Sequence, residues 1–357
     1  MAGAGRQPAN HTQSAPHRTA AAWFTMTPWT HSRTPLLSMP EPILLVTKVP
    51  RAFLKTLTDR YDVIGPLETP FATHASALAP ADAARVRAIL TIGSVHFPPE
   101  LLDLFPNLGL VSCLGTGFEG VPLAEARRRG ILVTHSPNVN ASAVADLAVG
   151  LLISAVRDFT VARHWLEAGN FKGNAGVRLP SVKGLTGRRV GIYGLGAIGM
   201  KIAQRVAAFE TEIAYHNRKP RPDVEYPWHP TLASLAEWAD VLMVAVRADA
   251  SNRQAVDRAI MEKLGPDGIV VNISRGSVVD EAALAESIRD GTLRGAGLDV
   301  FEHEPAVTPA LYELAHVALT PHIAGNTHDA QEAMHRLVLA NLAAFFAGQA
   351  VVTPVPE

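Results

Sequence analysis

The stretch 188–199, Arg-Arg-Val-Gly-Ile-Tyr-Gly-Leu-Gly-Ala-Ile-Gly, narrows the choice of folds more than any other part of this chain. Its apolar run 190–193 reads as a buried strand and stops at Gly194, Gly196 and Gly199, spaced G-x-G-x-x-G. Beyond them Ile202, Val206 and Phe209 recur about one helical turn apart. Strand, tight turn and helix in that order make a dinucleotide site. Gly194 permits the sharp turn, Gly196 lets a pyrophosphate approach bare backbone, and Gly199 lets the helix pack close to the strand. The helix start, at Ala197 and Ile198, offers free N–H groups to the anion. A glycine turn that serves only packing is the competing reading, and the correct flanks on both sides weigh against it.

At 357 residues the chain exceeds one core at ~150 residues per domain, which predicts two domains. Apolar residues make up 48%, charged residues 18%, and the net charge is −1, so neither disorder throughout nor nucleic-acid binding is expected. The longest apolar runs, such as 145–156, contain charge or fall short of ~18 residues, so no membrane span is expected either. The single cysteine, Cys113, excludes an internal disulfide and any cysteine-rich metal site, and fits a reducing compartment, here read as cytoplasmic. No metal is expected. Cys113 lies in the apolar run 110–114, where a cysteine is a small buried apolar group rather than a nucleophile.

Residues 1–40 carry three Arg and three His, no acid, and no steady hydrophobic period. They read as a disordered leader or an over-long start, a transit peptide being the alternative. From 41 the pattern alternates. Strand-like runs at 43–46, 88–92, 108–113 and 131–134 are separated by helix-like segments at 52–60, 81–87 and 123–129, a βα repeat and hence a parallel sheet. Segment 140–157 is a helix too apolar all round for a surface, and is placed between two domains. A second series follows the glycine turn, with strands at 212–215, 241–246, 269–273, 296–298 and 317–320. The last helix, 329–347, is expected to return to the first domain.

Three stretches fall at or just after strand ends: 271–276 with Arg275, 297–305 with Asp299 and Glu304, and 319–325 with His322. That edge of an open parallel sheet is where ligands sit, so the three can converge on one cleft. Arg can hold a substrate carboxylate by two parallel hydrogen bonds, His can exchange a proton with a carbonyl oxygen, and a carboxylate beside the His favours its protonated form. Each alone has a plainer reading: Arg275 paired with Asp299, Glu304 a solvated loop charge, His322 a satisfied core histidine. Together, beside a nucleotide turn, they read as a hydride-transfer site.

With these stretches in hand, residues 41–350 resemble the D-isomer-specific 2-hydroxyacid dehydrogenases, especially the glyoxylate and hydroxypyruvate reductases. The resemblance rests on Gly194-Leu-Gly-Ala-Ile-Gly199, Asn272-Ile-Ser-Arg-Gly276, Gly297-Leu-Asp-Val-Phe-Glu-His-Glu-Pro305, Thr320-Pro-His-Ile-Ala-Gly325 and Asn138-Val-Asn-Ala-Ser-Ala-Val-Ala-Asp146. It implies an α/β chain of two Rossmann-like, doubly wound parallel-sheet domains. One is a flavodoxin-like substrate domain from 41–139 and 321–357, the other an NAD(P)-binding Rossmann domain at 140–320. It also implies a homodimer. Arg275 would bind the 2-oxo-acid carboxylate, His322 would be the acid/base, and Glu304 its orienting partner. Asp299 resembles a further acid near the nicotinamide. Leu114, Gly115, Thr116 and Gly117 match the substrate loop whose backbone N–H groups also hold the carboxylate. Three positions depart from the pattern: Pro122 for an acid, Arg247 for a proline after the 241–246 strand, and Phe171 near a tryptophan.

The expected activity is reduction of a small 2-oxo acid, glyoxylate or hydroxypyruvate, to the D-2-hydroxy acid. A bulkier substrate such as hydroxyphenylpyruvate is the alternative. A nucleotide-sensing corepressor on the same fold is a further one, with only the leader to dock partners. Formate dehydrogenases lack the Glu–His pair, and phosphoglycerate dehydrogenases usually carry a further regulatory domain. In NAD-specific sites an acid roughly 20 positions after the glycines accepts the ribose hydroxyls. Here Asn217 stands in its place, followed by Arg218 and Lys219, so NADP(H) is the expected cofactor with NAD(H) possible, and Arg247 is expected to add to the phosphate contact.

Overall fold

The computed structural model describes residues 40–67, 71–172 and 179–356. The reading of the leader as disordered or an over-long start falls on 1–39, outside the described residues.

Two parallel sheets organise the chain from Pro40 onward. The first holds β1 (Pro42–Leu45), β2 (Asp62–Ile64), β3 (Ala88–Ile92), β4 (Leu110–Leu114) and β5 (Leu132–Thr134), in the order β2-β1-β3-β4-β5. That is the flavodoxin-like order. The second holds β6 (Arg189–Tyr193), β7 (Glu212–His216), β8 (Val241–Val244), β9 (Ile269–Asn272), β10 (Gly295–Leu298) and β11 (Val317–Leu319), in the order β11-β10-β9-β8-β6-β7. A parallel bridge from Tyr215 to Trp228 extends its β7 edge. The central strands β8 and β9 are buried at every position, because helices cover both faces of a parallel sheet and leave no side for polar alternation. β2 was not expected from the sequence. It is three residues long, half-buried and at the sheet edge, too short to show a period.

The apolar helix Ala141–Val156 finds its partners mainly in the second sheet. Val144, Ala148, Leu151 and Leu152 share a core with β6, β8 and β9 and with Ile202 and Val206 of the Ala197–Ala207 helix. A methyl group on Gly297 of β10 would stand 2.8 Å from the Leu151 Cβ, so this glycine sets how closely the helix approaches the sheet. Only its N-terminal end reaches the first sheet, where the Thr116 hydroxyl donates to the Asn140 side-chain oxygen at 3.2 Å. The helix His328–Phe346 lays Met334, Val338 and Leu342 on Ile43, Leu45, Leu110 and Leu114, the core of the first sheet. Among the described residues no helix is long and apolar enough to cross a membrane.

Candidate active site

The carboxyl ends of both sheets open into one cleft of about 2880 Å³. On its nucleotide side the turn after β6 is built as its spacing requires. Gly194 has φ +99°, and a Cβ there would stand 2.5 Å from the backbone N of Val246; one on Gly199 would stand 2.2 Å from the Gly194 carbonyl oxygen. Gly196 faces open space, with nothing within 4 Å of an added Cβ. It is also the N-cap of Ala197–Ala207 and no side chain caps that end, so the first N–H groups, including those of Ala197 and Ile198, are left for a ligand. A phosphate group fits this cradle because bare backbone, open approach and unpaired donors coincide.

β7 is followed by Asn217, whose side-chain oxygen accepts from Leu195 N–H at 2.7 Å, while its carbonyl accepts from Trp228 Nε1 at 3.1 Å. Asn217 therefore anchors the glycine turn, and the position that would carry a ribose-binding acid presents no charge. Arg218 and Lys219 follow it, both exposed along the cleft. Asp249 lies close enough to Arg218 to feel it. Its carboxyl is held below the usual range first by the Ser251 hydroxyl and backbone N–H, with Arg218 adding to the effect. Arg247 lies at the end of β8, and its guanidinium sits over the ring of Phe118, 4.3 Å from the centroid. β7 and β8 flank β6 on opposite sides, so Arg247 and the Arg218–Lys219 pair start from different sides of the glycine turn.

Glu304 and His322 come together from the segments after β10 and β11. His322 Nδ1 lies 2.7 Å from Glu304 Oε2, and Glu304 Oε1 accepts from Phe301 N–H at 3.0 Å. The hydrogen bond to Glu304 raises the His322 pKa above its ordinary value and outweighs burial, which pulls the other way. Burial pushes Glu304 up, but the bonds from His322 and Phe301 together carry its pKa below the usual carboxylate value. His322 is 48% exposed at its side chain, so it is not a core histidine. Its backbone is left-handed, with φ +52°.

Asp299, only 1% exposed, holds that backbone in place. One carboxylate oxygen accepts from the Thr320 hydroxyl at 2.7 Å and Ile323 N–H at 2.9 Å, and the other from Ala324 N–H at 3.0 Å. His322 N–H in turn donates to the Asp299 carbonyl at 2.8 Å. Asp299 borders the cleft, but its carboxylate secures the histidine loop rather than pairing with Arg275. Arg275 instead sends Nη1 to the Ser274 carbonyl at 2.8 Å and Nη2 toward Glu119 Oε1 at 3.3 Å.

Glu119 belongs to the loop after β4, where Leu114, Gly115, Thr116 and Gly117 also border the cleft. That loop is pinned by backbone: Ser136 N–H donates to the Gly115 carbonyl at 2.7 Å, and His135 Nδ1 lies 2.9 Å from the Thr116 carbonyl. Arg275, Glu304, His322 and the loop thus come together at one end of the cleft, and the glycine turn with Arg218 and Lys219 at the other. Sequence reasoning missed Glu119, Phe118 and Asp249, none of which sits in a spacing that marks it. Cys113 is buried, and desolvation, with Glu119 nearby, pushes its thiol up to about 12, which removes it as a nucleophile.

The profile of the D-isomer specific 2-hydroxyacid dehydrogenase NAD binding domain matches residues 149–324. A 2-ketogluconate reductase of Gluconobacter oxydans is 40% identical over 270 residues, 76% of this chain and 86% of the relative. A glyoxylate/hydroxypyruvate reductase of Arabidopsis thaliana is 38% identical over 270 residues, 76% of this chain and 85% of its own. Among solved structures, an NADPH-dependent glyoxylate/hydroxypyruvate reductase of Sinorhizobium meliloti, in complex with NADP and malonate, superposes with a TM-score of 0.80 at 39% identity, covering 89% of this chain and 97% of that one. Two parallel α/β sheets, a nicotinamide-nucleotide cradle and relatives matched over most of their length lead to one statement: this chain belongs to the D-isomer-specific 2-hydroxyacid dehydrogenase family.

Proposed function

We propose that the protein is an NADPH-preferring reductase of small 2-oxo acids, glyoxylate or hydroxypyruvate, giving the D-2-hydroxy acid. The observation that carries it is the His322–Glu304 pair at 2.7 Å beside Arg275, at the far end of a cleft that begins at an uncapped phosphate turn. A bound nicotinamide supplies the hydride. The chain supplies the rest. Arg275 and the backbone N–H groups of residues 114–117 hold the carboxylate and orient the adjacent carbonyl. His322, kept protonated by Glu304, gives its proton to the carbonyl oxygen as the carbon is reduced. Asp299 keeps the histidine loop in place along the nicotinamide end of the cleft. The names of the Arabidopsis and Sinorhizobium relatives support the substrate class.

We assign residues 41–139 and 321–357 to the substrate domain and 140–320 to the nucleotide domain. A homodimer is the proposed assembly. Its support is the helix Phe159–Glu167, which has no buried residue, exposes Phe159 and Leu166, and sets Trp165 edge-on to the exposed Phe171. A cytoplasmic location fits the single buried cysteine. A bulkier 2-oxo acid is the second reading, favoured by the 40% identity to a 2-ketogluconate reductase and the 36% identity to a hydroxyphenylpyruvate reductase of Plectranthus scutellarioides.

NADPH preference rests on Arg218 and Lys219 following a neutral Asn217. Gross attraction of unit charges ~4 Å apart is about 4 kcal/mol at an effective dielectric near 20, and desolvation and side-chain ordering offset much of it. We expect roughly 10- to 100-fold for NADPH over NADH from a charge-assisted phosphate contact. The test is kcat/KM with both cofactors for glyoxylate, hydroxypyruvate, 2-ketogluconate and hydroxyphenylpyruvate, in wild type and Arg218→Ala. A wild-type preference for NADH sinks the cofactor assignment, and an Arg218→Ala enzyme that keeps its NADPH preference removes the role given to Arg218. The substrate with the highest kcat/KM decides between the small and bulky readings.

A further inference from the structure

We infer that Arg247 is a ligand for the cofactor's pyrophosphate, shared by NADH and NADPH, and not a reader of the 2′-phosphate or of the oxo acid. The inference rests on the reading of the protein as a nicotinamide-dependent reductase.

The first observation is position within the sheet. Along the carboxyl edge the order runs β7, β6, β8, β9, β10, β11. Arg218 and Lys219 follow β7, at one end of that edge. Arg275, Glu304 and His322 follow β9, β10 and β11, at the other. A dinucleotide whose adenosine end meets Arg218 and whose reacting end meets His322 must cross the ends of β6 and β8 with its middle. Its middle is the pyrophosphate, and β8 is the strand that leads into Arg247. The crossing point is tight: a Cβ on Gly194 would stand 2.5 Å from Val246 N, so the residue before Arg247 packs directly on the first glycine of the turn.

The second observation is how the side chain is held. At its base the Arg247 carbonyl accepts from Asn252 Nδ2 at 2.8 Å, and Asp249 N–H donates to Asn252 Oδ1 at 2.9 Å, which closes the loop on itself. At its tip the guanidinium lies on the Phe118 ring, 4.3 Å from the centroid. Phe118 is itself fixed, 5% exposed and edge-on to His135 with centroids 5.1 Å apart. A cation stacked on an aromatic face keeps its in-plane N–H donors pointing outward. Among the described residues no hydrogen bond or carboxylate takes up those donors, and Arg247 borders the cleft.

A planar cation held at its base by Asn252 and at its tip by Phe118, lining the same cleft as the glycine turn, matches a phosphate whose other oxygens meet the N–H groups after Gly196. The turn then grips the pyrophosphate from the nucleotide sheet and Arg247 from the opposite side. Because the guanidinium rests on the loop that carries Leu114–Gly117, the same contact joins cofactor binding to the position of the substrate loop.

The test is equilibrium binding, read without turnover. Dissociation constants for NADPH, NADH and ADP-ribose are measured by calorimetry on wild type, Arg247→Ala and Arg247→Lys, together with the Tm of each unliganded protein. We expect Arg247→Ala to weaken all three ligands by a common factor on the order of tenfold, as for loss of one hydrogen-bonded charge. The NADPH-to-NADH ratio should stay unchanged, Arg247→Lys should recover part of the loss, and the unliganded Tm should hold because the side chain is exposed. Weakened NADPH with unchanged NADH would assign Arg247 to the 2′-phosphate and overturn the inference. So would unchanged affinities for all three ligands, whatever happens to the KM for the oxo acid. Failure of the wild-type protein to bind any of the ligands would instead count against the reductase reading itself.

Discussion

Glu119 Oε1 lies 3.3 Å from Nη2 of Arg275, so the guanidinium that the site offers to a substrate carboxylate already faces one. The two side chains are 38% and 40% exposed, and such half-solvated, single-contact pairs are worth about 0.2–1 kcal/mol. A carboxylate able to make two parallel bonds to Arg275 therefore displaces Glu119 at small cost. Glu119→Gln, by removing the internal competitor, should lower the inhibition constant of oxamate by up to about fivefold, the factor that corresponds to the upper end of that energy. A rise in the constant would show instead that Glu119 positions Arg275 for binding.

Arg275→Lys should lose most of kcat/KM for the oxo acid, since a point ammonium does not reproduce a planar two-pronged contact. Cofactor affinity should change little. Steady-state kinetics beside cofactor titration separate the two, and a kcat/KM near wild type would remove Arg275 from the carboxylate seat.

His322→Ala should reduce kcat by about 10²- to 10⁴-fold, the usual contribution of a positioned proton donor. The phosphate cradle lies at the other end of the cleft, so the dissociation constant for NADPH should remain close to wild type. Equal loss of both would mean that the side chain supports the cleft and does not move the proton.

Glu304→Gln should move the pH profile in a definite direction. In the wild type the bond to Glu304 raises the His322 pKa, so the proton required for reduction is retained to higher pH. Without the anion His322 titrates lower, and the limb on which reduction falls with rising pH should shift toward acid. The same linkage applies to stability: a His whose folded pKa is raised contributes below its unfolded value and loses that contribution as pH rises through the folded one. The wild-type advantage in Tm over Glu304→Gln should therefore shrink as the pH rises past the folded pKa of His322. A pH profile identical to wild type would leave Glu304 a structural residue.

Most of the fold is legible because its signals are local. β3 at 88–92 reads to the residue, since its mostly apolar Ala-Ile-Leu-Thr-Ile run lies between Arg87 and Gly93. That the glycine turn, Arg275, Glu304 and His322 reach one cleft was legible too, each lying just past a strand end. Contacts between distant segments do not read. Glu119 and Arg275 are 156 positions apart, and no spacing announces their pairing. The contact of Arg247 with Phe118 was not legible either, because a strand end fixes where a side chain starts but not which ring it leans on. Asp299 was legible as an acid at a strand end, while its three hydrogen bonds to the histidine loop depend on how β10 and β11 lie side by side.

The left-handed backbone of His322 places the proton donor under tension with the fold. At φ +52° a residue with a Cβ costs about 1 kcal/mol or more over glycine, and Asp299 absorbs that cost by gripping the loop on both sides of the histidine. In the proposed mechanism the chemistry needs an imidazole at a position whose backbone glycine would adopt more readily. Selection for stability alone would put glycine at 322, so the imidazole marks a place where stability and chemistry pull this chain in opposite directions.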